Sequence, residues 1–454
     1  MTYFLSSPVL RVFNSPCSNF FLNVALQLTL SSCKGLAFSP CIGSLNSSVA
    51  DVSRITRAHY SCQSKKNKLE APWRILFFGT DEFSVKSLEL LCAKYRTNTL
   101  ISKLEVVSSK EGKHSPVIQF AQDEKLTLYR WPMDPDLIKD NYDIGMVVSF
   151  GHLIPSKIIN AFPLGMINVH GSILPRWRGA APIVHAILHG DHETGISIIR
   201  VRPKHFDRGE IVRQYRCSIS PDDTAGELHN KLALVGGQLL LECVRDMPRC
   251  VLNAPAQPDE GATYANKIDW SYSVIDWNAM SSVQVYNLHR ALGHVYPLLA
   301  QWHGVKVKLH NISLDTKLRS DTSLRPNISH VPRDQHSQLT SALSFLSGDT
   351  SSKPPSETKE PPERSKEPTD RLTEEPNPIV PELTPGFVSF DRGSKLLRVR
   401  CVDGKSILCS QITVAGKKKM TAVDFKNGYL GKVKNESDKR FMNLDKQLYS
   451  KEKK

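Results

Sequence analysis

Asn168 and His170 close the apolar run Gly165-Met166-Ile167-Asn168-Val169-His170. If the run is a strand, its period of two puts the Asn168 amide and the His170 imidazole on one side, where both can converge on a single substrate atom. An amide donor beside an imidazole suits a developing oxyanion and a proton that must move with it. The bland alternative is a half-buried strand with two satisfied polar residues. The next stretch, Gly171-Ser172-Ile173-Leu174-Pro175-Arg176-Trp177-Arg178-Gly179, has Gly and Pro to fix backbone shape, so that main-chain groups can face a planar ligand. It reads equally as a plain strand-to-helix connection. A third candidate is Phe206-Asp207-Arg208-Gly209-Glu210, an acid heading a glycine turn before a strand. Taken alone, Asp207 reads as a turn former rather than a catalyst.

Other chemistries lack their residues. His185 and His189 are spaced to share a helix face, with His192 close behind, which is metal-ligand spacing. Ala186 follows His185, so there is no H-E-x-x-H, and no Cys or acidic cluster accompanies them; they read as surface or packing histidines, and no metal is expected. The chain has no G-x-S-x-G elbow, no P-loop and no G-x-G-x-x-G, which removes the usual supports of hydrolase, kinase and dinucleotide readings. Its ten cysteines include no C-x-x-C pair, which speaks against zinc and a disulfide framework and for reduced, structural thiols.

The elements that must position these residues follow from hydrophobic pattern. Arg74-Ile75-Leu76-Phe77-Phe78-Gly79 reads as a fully buried strand, and Thr80-Asp81-Glu82 opens a helix with Phe83, Val85, Leu88, Leu90 and Leu91 inward. Further strands are expected at residues 104–107, 144–149, 165–170, 195–201 and 211–218, with helices near 118–121, at 178–190 and at 224–247, the last opened by the capping box Thr224/Glu227. Apolar strands alternating with helices give an α/β fold with a mostly parallel sheet, in which ligands collect at the carboxyl ends of strands. That is where Asn168, His170 and the loop after them fall.

At 454 residues the chain is too long for one ordinary core. Residues 1–72 form a lead with no Asp or Glu in the first fifty, which is the composition of a mitochondrial transit peptide. A secretory signal is the rival, since Phe20 to Leu30 is partly apolar, but Asn23, Gln27 and Thr29 interrupt it. The catalytic domain is expected at 73–255, and a linker with the first part of a β-domain at 256–313, where Val305-Lys306-Val307-Lys308-Leu309 alternates with period two. Residues 314–384 are dominated by Ser, Pro, Glu, Lys and Thr and read as a disordered insertion. The second part of the β-domain follows at 385–430, then a basic tail at 431–454. The formal charge of +14 fits a polyanionic partner, nucleic acid or an anionic membrane surface.

These segments together resemble the methionyl-tRNA formyltransferase family, its mitochondrial form in particular. The resemblance is carried by Arg74 to Thr80, by Val148-Ser149-Phe150-Gly151-His152-Leu153-Ile154-Pro155, by the long run from Ile167 to Pro182, and by Asp207-Arg208-Gly209-Glu210-Ile211. It covers residues 73 to 430 apart from the insertion. It implies a Rossmann-like catalytic domain followed by a small OB-like β-barrel, the barrel matched by Tyr264 to Ile268, the strand around Val305 and the stretch from Ala415 to Phe425. It also implies a catalytic trio of Asn168, His170 and Asp207, and a formyl-folate loop of Ser172, Ile173, Leu174 and Pro175.

The implied reaction moves the formyl group of 10-formyl-tetrahydrofolate, without a metal, to the α-amine of methionine on charged initiator methionyl-tRNA. The enzyme would be a monomer of the mitochondrial matrix, with no membrane contact. Lys417-Lys418-Lys419 would belong to a basic, RNA-facing barrel surface; without that context they read as a solvated run. The loop at 108–114, placed by the resemblance against the acceptor stem, departs from the pattern in being short and containing Glu111. Two other readings stay open: a formyl-folate hydrolase or small-amine formyltransferase, and an RNA-binding protein with an inactive site.

Overall fold

The computed structural model describes residues 69–109, 115–315 and 384–445. The expected leader up to residue 68, most of the loop at 108–114, the body of the insertion and the last nine residues lie outside them.

The opening strand β1 (Trp73–Gly79) shows why this part of the chain folds. Its apolar run is buried on both sides of the sheet: Ile75 and Phe77 enter one core, Leu76 and Phe78 the other. One face is covered by α1 (Glu82–Arg96), capped by Asp81 and Ser84. The chain continues through β2 (Ile101–Ser109), α2 (Pro116–Asp123), β3 (Leu128–Trp131), β4 (Ile144–Val148), α3 (Ser156–Ile159) and β5 (Met166–His170). After β6 (Arg178–Gly179) and α4 (Pro182–Leu188) come β7 (Glu193–Arg200), β8 (Ile211–Ser218), α5 (Ala225–Asp246), α6 (Arg249–Leu252) and β9 (Tyr264–Ala265). The large sheet has the order β3-β2-β1-β4-β5-β7-β8. Its first five strands run parallel, and β7 and β8 join antiparallel, so the Rossmann-like, mostly parallel sheet is present. Helix α5 packs beside α1 and carries the expected capping box of Thr224 with Glu227.

Three local expectations change. The strand at 104–107 runs from Ile101 to Ser109, and β3 was not foreseen. The helix expected over 178–190 forms only over Pro182–Leu188. The reason is local: Pro182 supplies no N–H and keeps the residue before it out of the helical region, while Arg178 and Gly179 form β6, a parallel ladder with β9.

Further along comes α7 (Ser282–Leu292), opened by a capping box of Ser281 and Gln284. There follow β10 (Leu298–Trp302), β11 (Val305–Leu314), β12 (Val388–Asp391), β13 (Leu396–Arg400), β14 (Ser406–Val414), β15 (Met420–Thr421), α8 (Ala422–Gly428) and β16 (Phe441–Met442). The strands on the two sides of the insertion share one antiparallel sheet, in the order β12-β13-β14-β11-β10-β16. The two ends of that path meet. Val388 N–H donates to the Lys439 carbonyl at 2.7 Å and Phe441 N–H to the Gly386 carbonyl at 2.8 Å, which curls the sheet into a small barrel. No helix among the described residues is long and apolar enough to cross a membrane.

The closing strand lies in the stretch expected to be a basic tail. A single apolar residue in a lysine-rich segment reverses that expectation: Phe441 is fully buried, with its ring centroid 5.4 Å from Trp302, 6.0 Å from Phe425 and 6.1 Å from Trp277. Phe441→Ala is expected to destabilise the barrel by about 3–5 kcal/mol, through the cavity it leaves and the aromatic contacts it removes. Urea unfolding followed by tryptophan fluorescence measures this, and an unchanged midpoint would show that the strand contributes nothing to the barrel.

Candidate active site

A cavity of about 770 Å³ opens at the carboxyl ends of β4 and β5, and Asn168, His170 and Asp207 all line it. Strand β5 is held on both sides, with Asn168 opposite Val147 of β4 and Ile199 of β7. Its neighbours Ile167 and Val169 point into the core, so Asn168 and His170 share the other face, as the period of two requires. Among the described residues the Asn168 amide has no hydrogen-bond partner, which leaves its N–H groups for a ligand.

His170 is buried and its two nitrogens have different surroundings. Nε2 lies 2.8 Å from the Trp177 carbonyl. A carbonyl can only accept, so Nε2 carries a hydrogen and donates it. Nδ1 is therefore the nitrogen open to proton exchange, and it lies 3.7 Å from Asp207 Oδ1. That separation is an ion-pair distance when the ring is protonated and is longer than a hydrogen bond. The pair thus forms a place where one proton can be held and passed on.

Asp207 sits at φ +51°, a left-handed position that Asp tolerates. It is both a turn residue and a wall of the cavity. Its Oδ2 accepts the Gly179 N–H at 2.9 Å. Gly179 itself is at φ +122°, and a Cβ there would lie 2.6 Å from the Ala265 carbonyl. Gly209 is equally constrained, since a Cβ would come within 1.7 Å of the Arg200 carbonyl. Both glycines flank Asp207 because the backbone must pass close there.

Beneath this loop lies a half-buried polar brace. Gln257 Nε2 donates to the carbonyls of Asp207 (3.0 Å) and Gly209 (3.1 Å), and its Oε1 accepts from Arg178 Nε at 2.7 Å. The Arg178 guanidinium, almost wholly buried, also donates to the Pro258 carbonyl at 3.1 Å and to Asp259 at 3.1 Å. The linker after α6 therefore fixes the turn that aims Asp207. Nothing in the sequence pattern marks Gln257, because two of its partners are backbone carbonyls and the third, Arg178, lies far away in the chain.

Ser172, Ile173, Leu174 and Pro175 are not among the residues lining the cavity. Ser172 and Leu174 are buried: the Ser172 carbonyl accepts from Ser197 Oγ at 2.7 Å, Leu174 N–H donates to Ser197 Oγ at 3.0 Å, and Gln214 Nε2 donates to the Leu174 carbonyl at 2.9 Å. This loop is pinned to β7 and β8. One wall of the cavity is formed by the turn Phe150 to Ile154 after β4. There the Phe150 ring meets Phe78 (5.5 Å), Trp131 (5.2 Å) and His152 (5.1 Å) edge to face, and Gly151 turns the backbone at φ +72°. Such a wall suits a flat, mostly apolar heterocycle.

The histidines with metal-like spacing pack instead. The rings of His185 and His189 lie 5.4 Å and 4.5 Å from Trp177, and His185 Nε2 donates to the Asn266 carbonyl at 3.0 Å. Burial pushes the His185 pKa below its ordinary value. Among the described residues no group of three His, Cys, Asp or Glu is arranged to hold a metal ion. The six described cysteines are free thiols, mostly buried.

Residues 74–244 match the family described as Formyl transferase. The chain is 35% identical over 373 residues to the mitochondrial methionyl-tRNA formyltransferase of Homo sapiens, a match that covers 81% of each. It is 38% identical over 227 residues to the methionyl-tRNA formyltransferase of Coxiella burnetii (strain RSA 493 / Nine Mile phase I), covering 48% of this chain and 72% of that relative. Among solved structures, it is similar to a sugar 3N-formyl transferase determined in the presence of dTDP and 5-N-formyl-THF, at 16% identity and a TM-score of 0.47, covering 76% of this chain and 99% of the other.

Proposed function

The chain belongs to the methionyl-tRNA formyltransferase family, and we propose that it moves a formyl group from 10-formyl-tetrahydrofolate to the α-amine of methionine on charged initiator tRNA. The observation that carries this reading is the convergence of the Asn168 amide, His170 Nδ1 and Asp207 on one cavity. Together they supply what formyl transfer asks for, a donor to an oxyanion and a route for one proton.

In the proposed reaction the neutral amine attacks the formyl carbon, and the C–N bond forms as the carbonyl electrons move to oxygen. Asn168 donates to that oxygen, assisted by His170 when Nδ1 is protonated. The nitrogen that has attacked must lose a proton, and the folate nitrogen that leaves must gain one. His170 and Asp207 hold that proton between the two events, directly or through water. Collapse of the intermediate breaks the bond to the folate nitrogen and gives the formamide and tetrahydrofolate. We place the donor against the turn from Phe150 to Ile154 and the loop of Ser172 to Pro175, whose backbone is held by Ser197.

The acceptor is assigned from family membership together with charge. Lys417 to Lys419 stand exposed on the turn between β14 and β15, and Lys306 and Lys308 alternate with buried Val307 and Leu309 on β11. A cationic barrel surface of this kind tracks phosphates with salt-sensitive affinity. The proposed setting is the mitochondrial matrix, supported by the acid-free leader and by the mitochondrial relative in Homo sapiens, with the chain acting as a monomer.

The test is to incubate the full chain with 10-formyl-tetrahydrofolate and charged initiator methionyl-tRNA and to measure formylmethionine and formate. Formylmethionine is the expected product. Formate alone would establish a hydrolase, and neither product would leave an RNA-binding protein.

In the same assay Gln257→Ala is expected to lower kcat about tenfold while KM for either substrate changes little, because it loosens the turn under Asp207 without touching a ligand. Gln257→Glu should be no better, since a carboxylate cannot donate to the two carbonyls. A Gln257→Glu enzyme with full kcat would remove the brace from the account.

A further inference from the structure

Immediately before Asp207 the chain runs Arg200-Val201-Arg202-Pro203-Lys204-His205-Phe206. The segment makes a tight turn, with His205 N–H donating to the Arg202 carbonyl and Lys204 at φ +64°. Phe206 at its tip is 67% exposed, the most exposed of the large apolar side chains among the described residues, and it stands at the edge of the cavity. A fixed turn that holds an aromatic ring in water beside a reaction centre is a surface that something covers.

The charges around the ring narrow the choice of partner. Arg202 is neutralised by a two-pronged ion pair with Glu210. Lys204 and Arg208, two residues before and after Phe206 in the chain, are both exposed. Arg208 donates to the hydroxyl of Tyr264, itself 55% exposed. An exposed flat ring with a cationic residue two positions away on each side in the chain is a pattern that takes an unpaired nucleotide: the base stacks and the phosphates meet the charges.

Connectivity gives the same answer. This step rests on the proposed function, in which the reacting amine belongs to an amino acid esterified to the terminal ribose of an RNA. With the amine at Asn168, His170 and Asp207, the terminal nucleoside is only an ester's length away. Phe206 is the residue next to Asp207, with Cα atoms about 3.8 Å apart. We infer that Phe206 is the stacking platform for the terminal, unpaired nucleobases of the RNA acceptor, with Lys204 and Arg208 taking their phosphates.

The experiment uses the full chain in the formylation assay, with charged methionyl-tRNA varied at saturating donor and then donor varied at saturating tRNA. Base stacking on an aromatic ring contributes about 1–3 kcal/mol, so Phe206→Ala and Phe206→Leu should each raise KM for the charged tRNA roughly 5- to 150-fold, with a smaller change in kcat. Phe206→Trp keeps a flat ring and should restore KM to near the wild-type value. Lys204→Glu should raise the same KM and lower the salt dependence by about one unit of slope. Because Phe206 is largely in water, loss of folding is not the expected result, and thermal unfolding of each variant checks it. A wild-type KM for tRNA in Phe206→Leu would overturn the inference, as would Phe206→Trp behaving like Phe206→Ala, or a rise confined to the donor KM. Failure of the underlying function would appear separately, as absence of formylmethionine with the wild-type chain.

Discussion

Replacing Asn168 by alanine is expected to lower kcat for formyl transfer about a hundredfold or more, with little change in KM for either substrate. The amide is half-buried at the end of β5, lines the cavity and is not engaged by any described residue, so its N–H groups are available to an oxygen that becomes negative as the amine attacks. A donor aimed at such an oxygen acts mainly in the transition state, and its removal typically costs about 2.7–4 kcal/mol of barrier. Asn168→Asp should be worse than alanine, since it places an acceptor and a negative charge where the oxyanion forms. Steady-state kinetics of both variants decide the matter. An alanine enzyme that is folded and retains near wild-type kcat would sink the role given to Asn168.

Asn168 and His170 were legible because a short apolar strand has only two faces, and residues two apart must share one. The capping box of Thr224 and Glu227 marked the start of α5 for a similar reason: two side chains satisfy two backbone donors locally. The box of Ser281 and Gln284 carried the same signal for α7 and lay unread in a region whose alternation spoke for strands. What stayed hidden is made by backbone groups. The Trp177 carbonyl sets the tautomer of His170, and the Gly179 amide seats Asp207, yet neither depends on a side chain that a pattern could flag. The resemblance makes Ser172 to Pro175 a formyl-folate loop, and the Gly and Pro around them suggest only a fixed backbone. What the pattern does not show is that the Ser172 carbonyl and the Leu174 amide are held by the hydroxyl of Ser197, on a strand whose position is known only once the sheet is built. Phe441 was missed because hydrophobic periodicity needs several residues, and the closing strand has two.

Asp207→Asn should have the largest effect of the substitutions in this site, a fall in kcat on the order of a thousandfold or more, from the exchange of one oxygen for an NH₂ group. The asparagine carbonyl can still accept the Gly179 N–H, so the turn is expected to hold. The other position then carries an NH₂ group facing His170 Nδ1, now 3.7 Å from Asp207 Oδ1. With Nε2 already donating to the Trp177 carbonyl, an amide donor at Nδ1 satisfies the ring in its neutral form and occupies the one nitrogen that could exchange a proton with the reacting amine. The variant therefore keeps the shape of the site and removes its proton path, the kind of change that wrong tautomer placement makes costly. Since His170 and Asp207 act as a unit, His170→Ala combined with Asp207→Asn should be little slower than the more damaging single variant. Single-turnover formylation with charged methionyl-tRNA separates this chemical step from product release. Additive losses in the double variant would mean that the two residues act independently, and a nearly active Asp207→Asn enzyme would return Asp207 to the role of turn former alone.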